Sequence, residues 1–241
     1  MKILAFDGTA KVASAAVCDG ERALAVYNID NGLTQSELLL PMAEDILKSL
    51  KLDFSDIDAY ATSVGPGSFT GVRIGVSLIK GLAFGRDIPC IEVSTLEALA
   101  ENLSGLDGIV VPCMDARRNQ VYNAIFTSSA EGIERVTEDR AISLDALAKE
   151  LAGYGEKKIY LVGDGYDVAY RALTGAGVAI EVTPKILINE NALSVARVAL
   201  RKYERGEYVS DKAISPVYLR LPQAERERLE REKRKVDTEN G

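Results

Sequence analysis

The pattern of apolar and polar residues at the start of the chain predicts three short strands and then a helix. Three apolar runs of strand length come first, at residues 2–7, 13–18 and 22–28. Asp19-Gly20, between the second and third runs, is typical of a tight hairpin turn, so these strands are expected to pair antiparallel. Apolar residues then recur at helical spacing after Thr34, and Glu37 stands where it completes a capping box.

This first predicted helix is apolar over much of its circumference. Its main apolar stripe consists of Leu38, Leu39, Met42, Ile46 and Leu50, and the stripe is widened by Leu40, Ala43 and Leu47. Pro41 is expected either to kink the helix or to mark its true first turn. A helix with so wide an apolar surface needs two neighbours, its own sheet and a second element. A doubly packed core helix and a helix that also contacts a partner protein both fit this pattern.

The longest motif, GPGSFTGVRIG, starts at Gly65 and follows a predicted strand at residues 57–64. Its Gly-Pro-Gly turn leads into a second long helix, for which Thr70 is the predicted N-cap. This helix carries Gly71, Gly75, Gly81 and Gly85. A glycine inside a helix costs about 1 kcal/mol relative to alanine, so another backbone is expected to pack closely against the glycine face. That backbone belongs either to the chain's own sheet or to a partner helix. A phosphate-binding loop is less well supported, because the motif lacks the Lys-Ser/Thr ending of a P-loop.

The second part of the chain repeats the order of the first. After a predicted strand at residues 90–93 and a predicted helix at 94–103, the turn-rich residues 104–108 separate the two parts. The second part has predicted strands at residues 109–114, 120–127, 132–136, 159–162 and 178–182, and predicted helices at 143–151, 166–173 and 192–204. We interpret this order as an internal duplication. It predicts an α/β protein with two ribonuclease-H-like halves, each a mixed sheet flanked by helices.

Composition and charge limit the kinds of protein that this chain can be. Its 241 residues are 47% hydrophobic and 27% charged, as in globular proteins. No apolar run approaches the ~20 residues of a membrane span, and the first residues lack a signal-peptide layout, so we expect a cytoplasmic protein without membrane contact. Cys18, Cys90 and Cys113 lie in apolar runs and are expected to be buried free thiols. The net charge of −7 argues against a protein that binds RNA by itself.

The absence of histidine excludes several kinds of chemistry. The sequence contains none, which rules out catalysis by Ser-His or Cys-His pairs and metal sites with histidine ligands. Only carboxylate, lysine, tyrosine or thiol chemistry is left. We predict no catalytic residue and no metal site.

Five motifs carry a resemblance to a known family. FDGTA begins at Phe6, GPGSFTGVRIG at Gly65, STLEALA at Ser94, MDARRNQVY at Met114 and SPVYLR at Ser215. In this order they resemble the bacterial TsaB (YeaZ) family, over residues 1–221. The resemblance implies a fold of the actin/sugar-kinase/Hsp70 (ASKHA) type. It also implies a role in making threonylcarbamoyladenosine on tRNA, at the adenosine beside the anticodon.

We accordingly predict two domains and a tail. Residues 1–104 form the N-terminal ribonuclease-H-like domain, which carries the partner-binding helices, and residues 105–220 form a second, degenerate one. The charged tail, residues 221–241, has Glu227–Arg231 and Glu230–Arg234 pairs at helical spacing. A solvated helix is the simplest interpretation of this tail, and a basic-rich segment that touches tRNA is the alternative.

The resemblance also places a nucleotide site, since ASKHA proteins bind ATP between their halves on loops that begin with an aspartate. The positions that match are Asp7, Thr9, Asp115, Arg117, Gly163 and Gly165, which we predict to be a vestigial nucleotide site. The first loop lacks a second glycine, and the second has Arg117-Arg118 where a small flexible turn is expected. We therefore expect no tightly bound cofactor, and ATP with Mg²⁺ only at an interface shared with a partner.

The resemblance also implies that the protein acts together with partner proteins. It implies a catalytically silent subunit that pairs with the related protein TsaD, with the small ATPase TsaE docking on the pair and tRNA contacted only indirectly. Where TsaD has its histidine metal motif, this chain has Gln35, which is no comparable ligand. The chain alone is expected to form a homodimer through the same surface. The predicted partner-binding residues are Leu38, Leu39, Met42, Ile46, Gly71, Ile74, Gly75, Leu78, Ile79 and Leu82.

Two alternatives stay open beside the partner hypothesis. One is an ATP-dependent kinase or carbamoyltransferase of the same fold, and the other is a stand-alone RNA-binding protein. Under the partner hypothesis, Gly75→Leu or Leu39→Glu is expected to block complex formation and to leave the fold intact. Tight binding of ATP and Mg²⁺ by the isolated chain, lost in Asp7→Ala, would instead favour an enzyme.

Overall fold

The structure is a computed structural model that describes residues 1–220, which form two β-sheets with helices packed against them. The predicted charged tail, residues 221–241, lies outside the described residues. Within residues 1–220, no helix combines the length and the apolar character needed to cross a bilayer.

The first sheet is built by residues near the N-terminus. Its strands are β1 (Lys2–Asp7), β2 (Ala13–Asp19), β3 (Arg22–Ile29), β4 (Ala59–Gly65) and β5 (Cys90–Ser94), and its helices are α1 (Gln35–Leu50), α2 (Phe69–Ala83) and α3 (Thr95–Glu101). The strand order is β3-β2-β1-β4-β5. β1, β2 and β3 pair antiparallel, whereas β1, β4 and β5 pair parallel. This arrangement confirms the predicted meander joined to parallel strand–helix units.

The second sheet repeats this layout in a degenerate form. Its strands are β6 (Gly108–Asp115), β7 (Gln120–Asn123), β8 (Phe126–Ser129), β9 (Gly132–Arg135), β10 (Arg140–Ser143) and β11 (Ile159–Val162). Its helices are α4 (Leu144–Leu151) and α5 (Tyr166–Gly175), and α6 (Ala192–Glu204) follows them. β7 and β8 both pair antiparallel with β6, and β11 pairs parallel with it. The two mixed sheets flanked by helices confirm the predicted α/β class and its two ribonuclease-H-like halves.

The predicted strand at residues 120–127 is divided into β7 and β8. Both parts keep one register on β6, because Cys113 pairs with Asn123 and Val110 with Phe126. Pro112 lies between these pairs and has no backbone N–H to donate, so the ladder is interrupted there. The buried Asn123 side chain donates to the Pro112 carbonyl oxygen at 2.9 Å and fills the gap.

The predicted strand at residues 178–182 is wrong. The structure has a single parallel bridge there, between Tyr160 and Glu181. Val178 and Ile180 pack against the core of the second half, but Glu181 and Val182 are exposed, and the run makes no further strand pairing. The second half therefore lacks the full counterpart of β5.

Helices cover both faces of the first sheet. α1 and α2 lie on one face, where Leu39, Ile46 and Val76 join a core with Leu4 and Phe6 of β1. α6 lies on the other face, where its Val195 and Val198 pack with Ile3 and Ala5. The predicted boundary between residues 104 and 105 thus separates the two sheets but places α6 apart from the sheet it covers.

The helix starts follow the predicted capping chemistry with one exception. Ser94 caps α3 by accepting from the Glu97 backbone N–H, and the Glu37 carboxylate accepts from the Thr34 N–H at the start of α1. Thr70 is not the N-cap of α2: Ser68 is, and its Oγ accepts from the Gly71 N–H at 3.3 Å. Pro41 lies inside α1, so it does not mark the first turn.

Candidate functional site

A groove runs along the outer surface between α1 and α2. Its volume is about 530 Å³, and it is lined by Gln35, Ser36, Leu39, Leu40, Thr70, Arg73, Ile74, Ser77 and Leu78. We refer to these nine residues as the α1–α2 groove. Leu40 is 38% exposed, while Ile74 and Leu78 are half-buried on α2. The groove thus combines apolar walls with a polar end near the N-termini of both helices.

Two of the helix glycines fit α2 onto the chain's own sheet. A Cβ atom added at Gly71 would lie 1.8 Å from the Gly8 carbonyl oxygen, and one at Gly75 would lie 2.7 Å from Thr62 Oγ1. Both glycines are buried in this packing. Of the two readings of the glycine face, close packing within the chain therefore accounts for Gly71 and Gly75.

The other two glycines have different roles. Gly81 is exposed, and a Cβ atom there would have no neighbour within 4 Å. Gly85 follows the end of α2 with φ +71°, a left-handed conformation that glycine adopts readily. Within residues 1–220, Gly71 and Gly75 pack closely against other parts of the chain, whereas Gly81 does not. The loss of helix stability caused by a glycine is therefore not offset by close packing at Gly81.

The predicted contact residues divide by burial. Leu39, Met42, Ile46 and Ile79 are at most 2% exposed and belong to the core, as do Gly71 and Gly75, and Leu38 is 9% exposed. Ile74, Leu78 and Leu82 remain partly exposed on α2. The expectation that Gly75→Leu or Leu39→Glu leaves the fold intact is therefore corrected, because both changes disrupt packing inside the chain.

Two exposed apolar residues of these helices are absent from the predicted contact residues. Leu40 lines the groove, and Phe84, which is 76% exposed, directly follows the last residue of α2. An apolar residue directly before the C-terminal Gly85 was the available signal for Phe84.

An aromatic–arginine cluster lies at the polar end of the groove. The rings of Phe69 and Tyr218 stack with centroids 4.4 Å apart, and the Arg73 Cζ lies 3.9 Å above the Phe69 ring. Arg73 Nε donates to the Tyr218 hydroxyl oxygen at 2.8 Å. The GPGSFTGVRIG motif ends at Gly75 and the SPVYLR motif begins at Ser215, and the whole second sheet lies between them in sequence. The cluster therefore joins the two motifs only through the fold.

The segment 215–220 continues from this cluster to the second half and acts as a strap. The Ser215 N–H donates to Glu92 Oε1 at 2.8 Å, and the Val217 N–H donates to the Val64 carbonyl oxygen at 2.8 Å. At its other end, Arg220 donates to the Ala116 carbonyl oxygen at 2.9 Å and to the Gln120 side chain. The strap therefore connects β4 and β5 of the first sheet to the loop between β6 and β7.

In the cleft between the halves, the Asp7 carboxylate is fully engaged by the chain itself. Oδ1 accepts from the Thr9 N–H at 2.9 Å and the Thr9 hydroxyl at 2.7 Å, and Oδ2 accepts from the Ser63 hydroxyl at 2.5 Å. Burial raises the pKa of Asp7, and these three hydrogen bonds oppose the rise. Asp7 and Thr9, two of the predicted nucleotide-site residues, thus bind each other.

The GPGSFTG turn covers the loop that follows Asp7. The Ser68 N–H donates to the Thr9 carbonyl oxygen at 2.7 Å, and a Cβ atom at Gly67 would lie 2.6 Å from that same oxygen. The Thr9 N–H is already used by Asp7. A phosphate-binding loop needs free N–H groups that point at the ligand, and the Thr9 N–H is not free.

The second predicted loop is also occupied by contacts within the chain. Cβ atoms at Gly163 and Gly165 would lie 2.4 and 2.8 Å from the Cys113 carbonyl oxygen, so both glycines fit their turn against β6. The Asp115 N–H donates to Asp164 Oδ1 at 3.1 Å. Arg117 is largely exposed, with Nη1 3.7 Å from the Asp115 carboxylate.

A buried acid in this cleft, Glu190, belongs to no sequence motif and is not among the predicted site residues. Its side chain is 3% exposed, and Oε1 has no hydrogen-bond partner within residues 1–220. Burial, followed by the nearby charges of Asp7 and Asp164, raises the pKa of Glu190 to about 8. Despite these neighbours, residues 1–220 contain no group of three or more Cys, Asp or Glu side chains arranged to hold a metal ion.

Comparison of the sequence with known proteins identifies related proteins. Residues 34–228 match the family model described as TsaD, tRNA N6-adenosine threonylcarbamoyltransferase. The tRNA threonylcarbamoyladenosine biosynthesis protein TsaB of Escherichia coli is 30% identical over 91% of this chain and 95% of its own length. The Haemophilus influenzae protein of the same description is 34% identical over 78% of this chain and 80% of its own length.

Solved structures agree with the sequence relatives. A Pseudomonas aeruginosa protein described as similar to peptidase YEAZ superposes with a TM-score of 0.77 at 26% identity, over 91% of this chain and 99% of that one. YeaZ from Pseudomonas aeruginosa superposes with a TM-score of 0.72 at 26% identity, over 90% and 99% of the two chains. The chain therefore belongs to the TsaB (YeaZ) family of tRNA threonylcarbamoyladenosine biosynthesis proteins, which is related to TsaD.

Proposed function

We propose that this protein is a non-catalytic subunit that pairs with TsaD and activates threonylcarbamoyl transfer to the adenosine beside the anticodon of tRNA. The observation that carries the proposal is the α1–α2 groove, an open surface with exposed apolar residues between two neighbouring helices of the first sheet. TsaD supplies the active site in this proposal, and this chain supplies a surface.

The match to the TsaD family model supports pairing with a protein of similar fold. Two related folds present similar surfaces, so they can meet about an approximate two-fold axis, helix pair against helix pair. Leu40, Ile74 and Leu78 then lose exposed apolar area to the partner's helices, which favours association. Gly81 leaves room for a close approach on the same helix.

The state of the cleft supports a subunit without its own catalysis. The Asp7 carboxylate and the Thr9 N–H are used within the chain, and the turn at Gly67 covers the adjoining loop. Bound ATP with Mg²⁺ is accordingly assigned only to an interface shared with a partner. In the same proposal TsaE docks on the assembled pair, tRNA is contacted only indirectly, and the isolated chain forms a homodimer.

The test is a modification assay with purified TsaD, TsaE, tRNA and ATP, with and without this chain. Two variants, Leu40→Glu and Gly81→Leu, change exposed positions of the proposed interface. Each is expected to lower co-purification with TsaD and tRNA modification in parallel, while leaving the thermal unfolding of the isolated chain near wild type. Ile186→Glu is the matched control, because Ile186 is 87% exposed outside this face.

Two results would overturn the proposal. One is unchanged TsaD binding in both interface variants. The other is tight binding of ATP and Mg²⁺ by the isolated chain in calorimetry, lost in Asp7→Ala, which would instead indicate an ATP-dependent enzyme.

A further inference from the structure

The loop between β6 and β7 is held in an unfavourable backbone conformation by the rest of the chain. Arg117, Arg118 and Asn119 have φ values of 64°, 55° and 57°, in the left-handed region that non-glycine residues rarely adopt. The Arg117 N–H donates to Asp115 Oδ1 at 2.8 Å. The Leu144 N–H donates to the Asn119 carbonyl oxygen at 3.3 Å. Because strained backbone of this kind occurs most often at functional sites, the side chains that the loop presents are candidates for a function.

The loop presents two arginine side chains to solvent. Arg117 and Arg118 are both exposed, the Arg117 side chain by 87%. Within residues 1–220, Arg117 has one long ion pair, at 3.7 Å from the Asp115 carboxylate, and Arg118 has none. The two guanidinium groups are therefore available to an anion outside the chain. Since the backbone that carries them is already ordered, less freedom is lost when such an anion binds.

A third cation, Lys11, lies at the same mouth of the cleft. It is exposed in the loop after β1, and it forms no ion pair in the described part of the chain. Burial raises the pKa of Asp164, and the charges of Arg117 and Lys11 oppose that rise, so both cations lie near this carboxylate. We refer to Lys11, Arg117 and Arg118 as the cleft-mouth cations. In a chain whose net charge is −7, such a local positive surface is typical of contact with phosphate groups.

The openness of this surface favours the backbone phosphates of RNA over a nucleotide. A small-molecule site buries most of its ligand in a pocket, whereas the Arg117 side chain is 87% exposed. The N–H groups of Thr9 and Arg117, which could otherwise bind a phosphate, are used by Asp7 and Asp115. RNA phosphates lie on the outside of the molecule, where exposed arginine and lysine side chains can reach them.

We propose that the cleft-mouth cations bind backbone phosphates of the tRNA while this chain is paired with TsaD. Three side chains neutralise at most about three phosphates, so the acidic chain alone binds tRNA weakly, and TsaD supplies the remaining contacts. The contact rests on the proposed pairing with TsaD. It adds direct binding to a function in which tRNA is otherwise contacted only indirectly.

The test measures binding of fluorescently labelled tRNA to the complex of TsaD with the full chain, by anisotropy at several salt concentrations. The double variant Arg117→Ala/Arg118→Ala is expected to weaken tRNA binding by about fivefold or more at low salt. It is also expected to reduce the slope of log K against log salt by about 2, because two phosphate contacts are lost. Arg117→Lys/Arg118→Lys keeps both charges and is expected to keep most of the slope. Co-purification with TsaD is expected to stay at the wild-type level in both variants.

Arg22→Ala/Arg171→Ala is the matched control, because it removes the same charge from exposed positions on β3 and α5, and it is expected to bind tRNA like wild type. The inference is overturned if this control loses as much tRNA affinity as Arg117→Ala/Arg118→Ala, or if neither variant loses any. It is also overturned if Arg117→Ala/Arg118→Ala loses TsaD pairing, or loses ATP binding by the complex while tRNA binding is unchanged. A wild-type chain that does not pair with TsaD contradicts the proposed function, whereas pairing without an effect on tRNA binding contradicts this inference alone.

Discussion

The pKa of the Glu190 carboxyl is raised by its surroundings in the fold. The residue lies just before α6, in a stretch without a motif, yet its carboxyl is 3% exposed and faces the charges of Asp7 and Asp164. Because ionisation would place a further negative charge in a buried acidic cleft, the folded protein keeps this group protonated at neutral pH.

Glu190→Gln is expected to change how stability depends on pH. In wild type the pKa of Glu190 rises from 4.5 in an unfolded chain to about 8 in the folded protein. As pH rises, the unfolded chain therefore loses this proton at a lower pH than the folded protein does. The free energy of unfolding of wild type falls between about pH 4.5 and about pH 8, by an amount of the order of 4 kcal/mol. Glutamine does not ionise, so the variant lacks this contribution. Urea unfolding of both proteins at pH 5 and pH 8 measures the difference.

Glu181→Gln is the control for that experiment, because Glu181 is exposed. Its stability is expected to follow wild type at both pH values. Equal pH dependence in wild type and Glu190→Gln would show that Glu190 is ionised in the folded protein.

The glycines of α2 are alike in sequence and differ in what surrounds them. Gly71→Ala is expected to destabilise the chain by roughly 1–3 kcal/mol, because its Cβ would collide with the backbone oxygen of Gly8. Gly81→Ala is expected to stabilise it by about 0.5–1 kcal/mol, because the added Cβ meets nothing and alanine favours the helix. Thermal or urea unfolding of the two variants measures both signs. Effects of the same sign would contradict this assignment.

At the scale of elements, the strap 215–220 links parts of the chain that no helix or strand connects. It is bound to β4 and β5 at one end and to the loop after β6 at the other. That loop has three consecutive left-handed residues, Arg117, Arg118 and Asn119. Left-handed non-glycine residues are unfavourable alone, so the contacts of Arg220 help to keep the loop in this form.

Arg220→Ala is therefore expected to loosen the loop between β6 and β7. Loss of two hydrogen bonds from a charged group costs about 1.5–3 kcal/mol locally. Amide hydrogen exchange at residues 115–120 is expected to accelerate, while exchange in β1 and β2 stays at its wild-type rate. Arg171→Ala removes the same charge from α5 and serves as the control. Unchanged exchange at residues 115–120 would show that the strap does not restrain the loop.

At the scale of the whole molecule, α6 follows the second sheet in sequence but packs on the first sheet, which is built by residues near the N-terminus. Val195 and Val198 cover the face of the first sheet that α1 and α2 leave open. The Ala192 N–H donates to Ser14 Oγ at 2.8 Å, and Arg201 pairs with the buried Glu101 at 2.6 Å. The first sheet is thus completed by residues from beyond the second sheet.

A fragment of residues 1–104 is accordingly expected to fold poorly, because it exposes the apolar face that α6 covers. The same fragment joined by a flexible linker to residues 190–220 is expected to unfold cooperatively and to remain monodisperse. Circular dichroism melts and light scattering compare the two. Cooperative unfolding of residues 1–104 alone would show that the predicted boundary after residue 104 delimits an independent domain.

The sequence indicated which two helices carry the candidate surface, but not which of their side chains are exposed. The apolar width of α1 and the glycines of α2 indicated that this helix pair has an unusual surface, and the groove lies between those helices. Which apolar side chains stay exposed at the groove could not be read from the sequence, because Leu39 and Leu40 are equally apolar there, yet Leu39 is 1% exposed and Leu40 is 38% exposed. Gly163 and Gly165, two of the predicted nucleotide positions, pack their turn against β6, a contact that the sequence does not reveal.

The sequence by itself determined where the helices and most of the strands lie, because hydrophobic periodicity, caps such as Ser94 and turns such as Asp19-Gly20 act between near neighbours. It also excluded histidine chemistry outright. The tertiary structure alone decided that Gly71 faces Gly8, that Tyr218 meets Arg73, and that the Glu190 carboxyl is buried near Asp7. These contacts join residues far apart in the chain, and their energies depend on distances and burial that only the folded backbone sets.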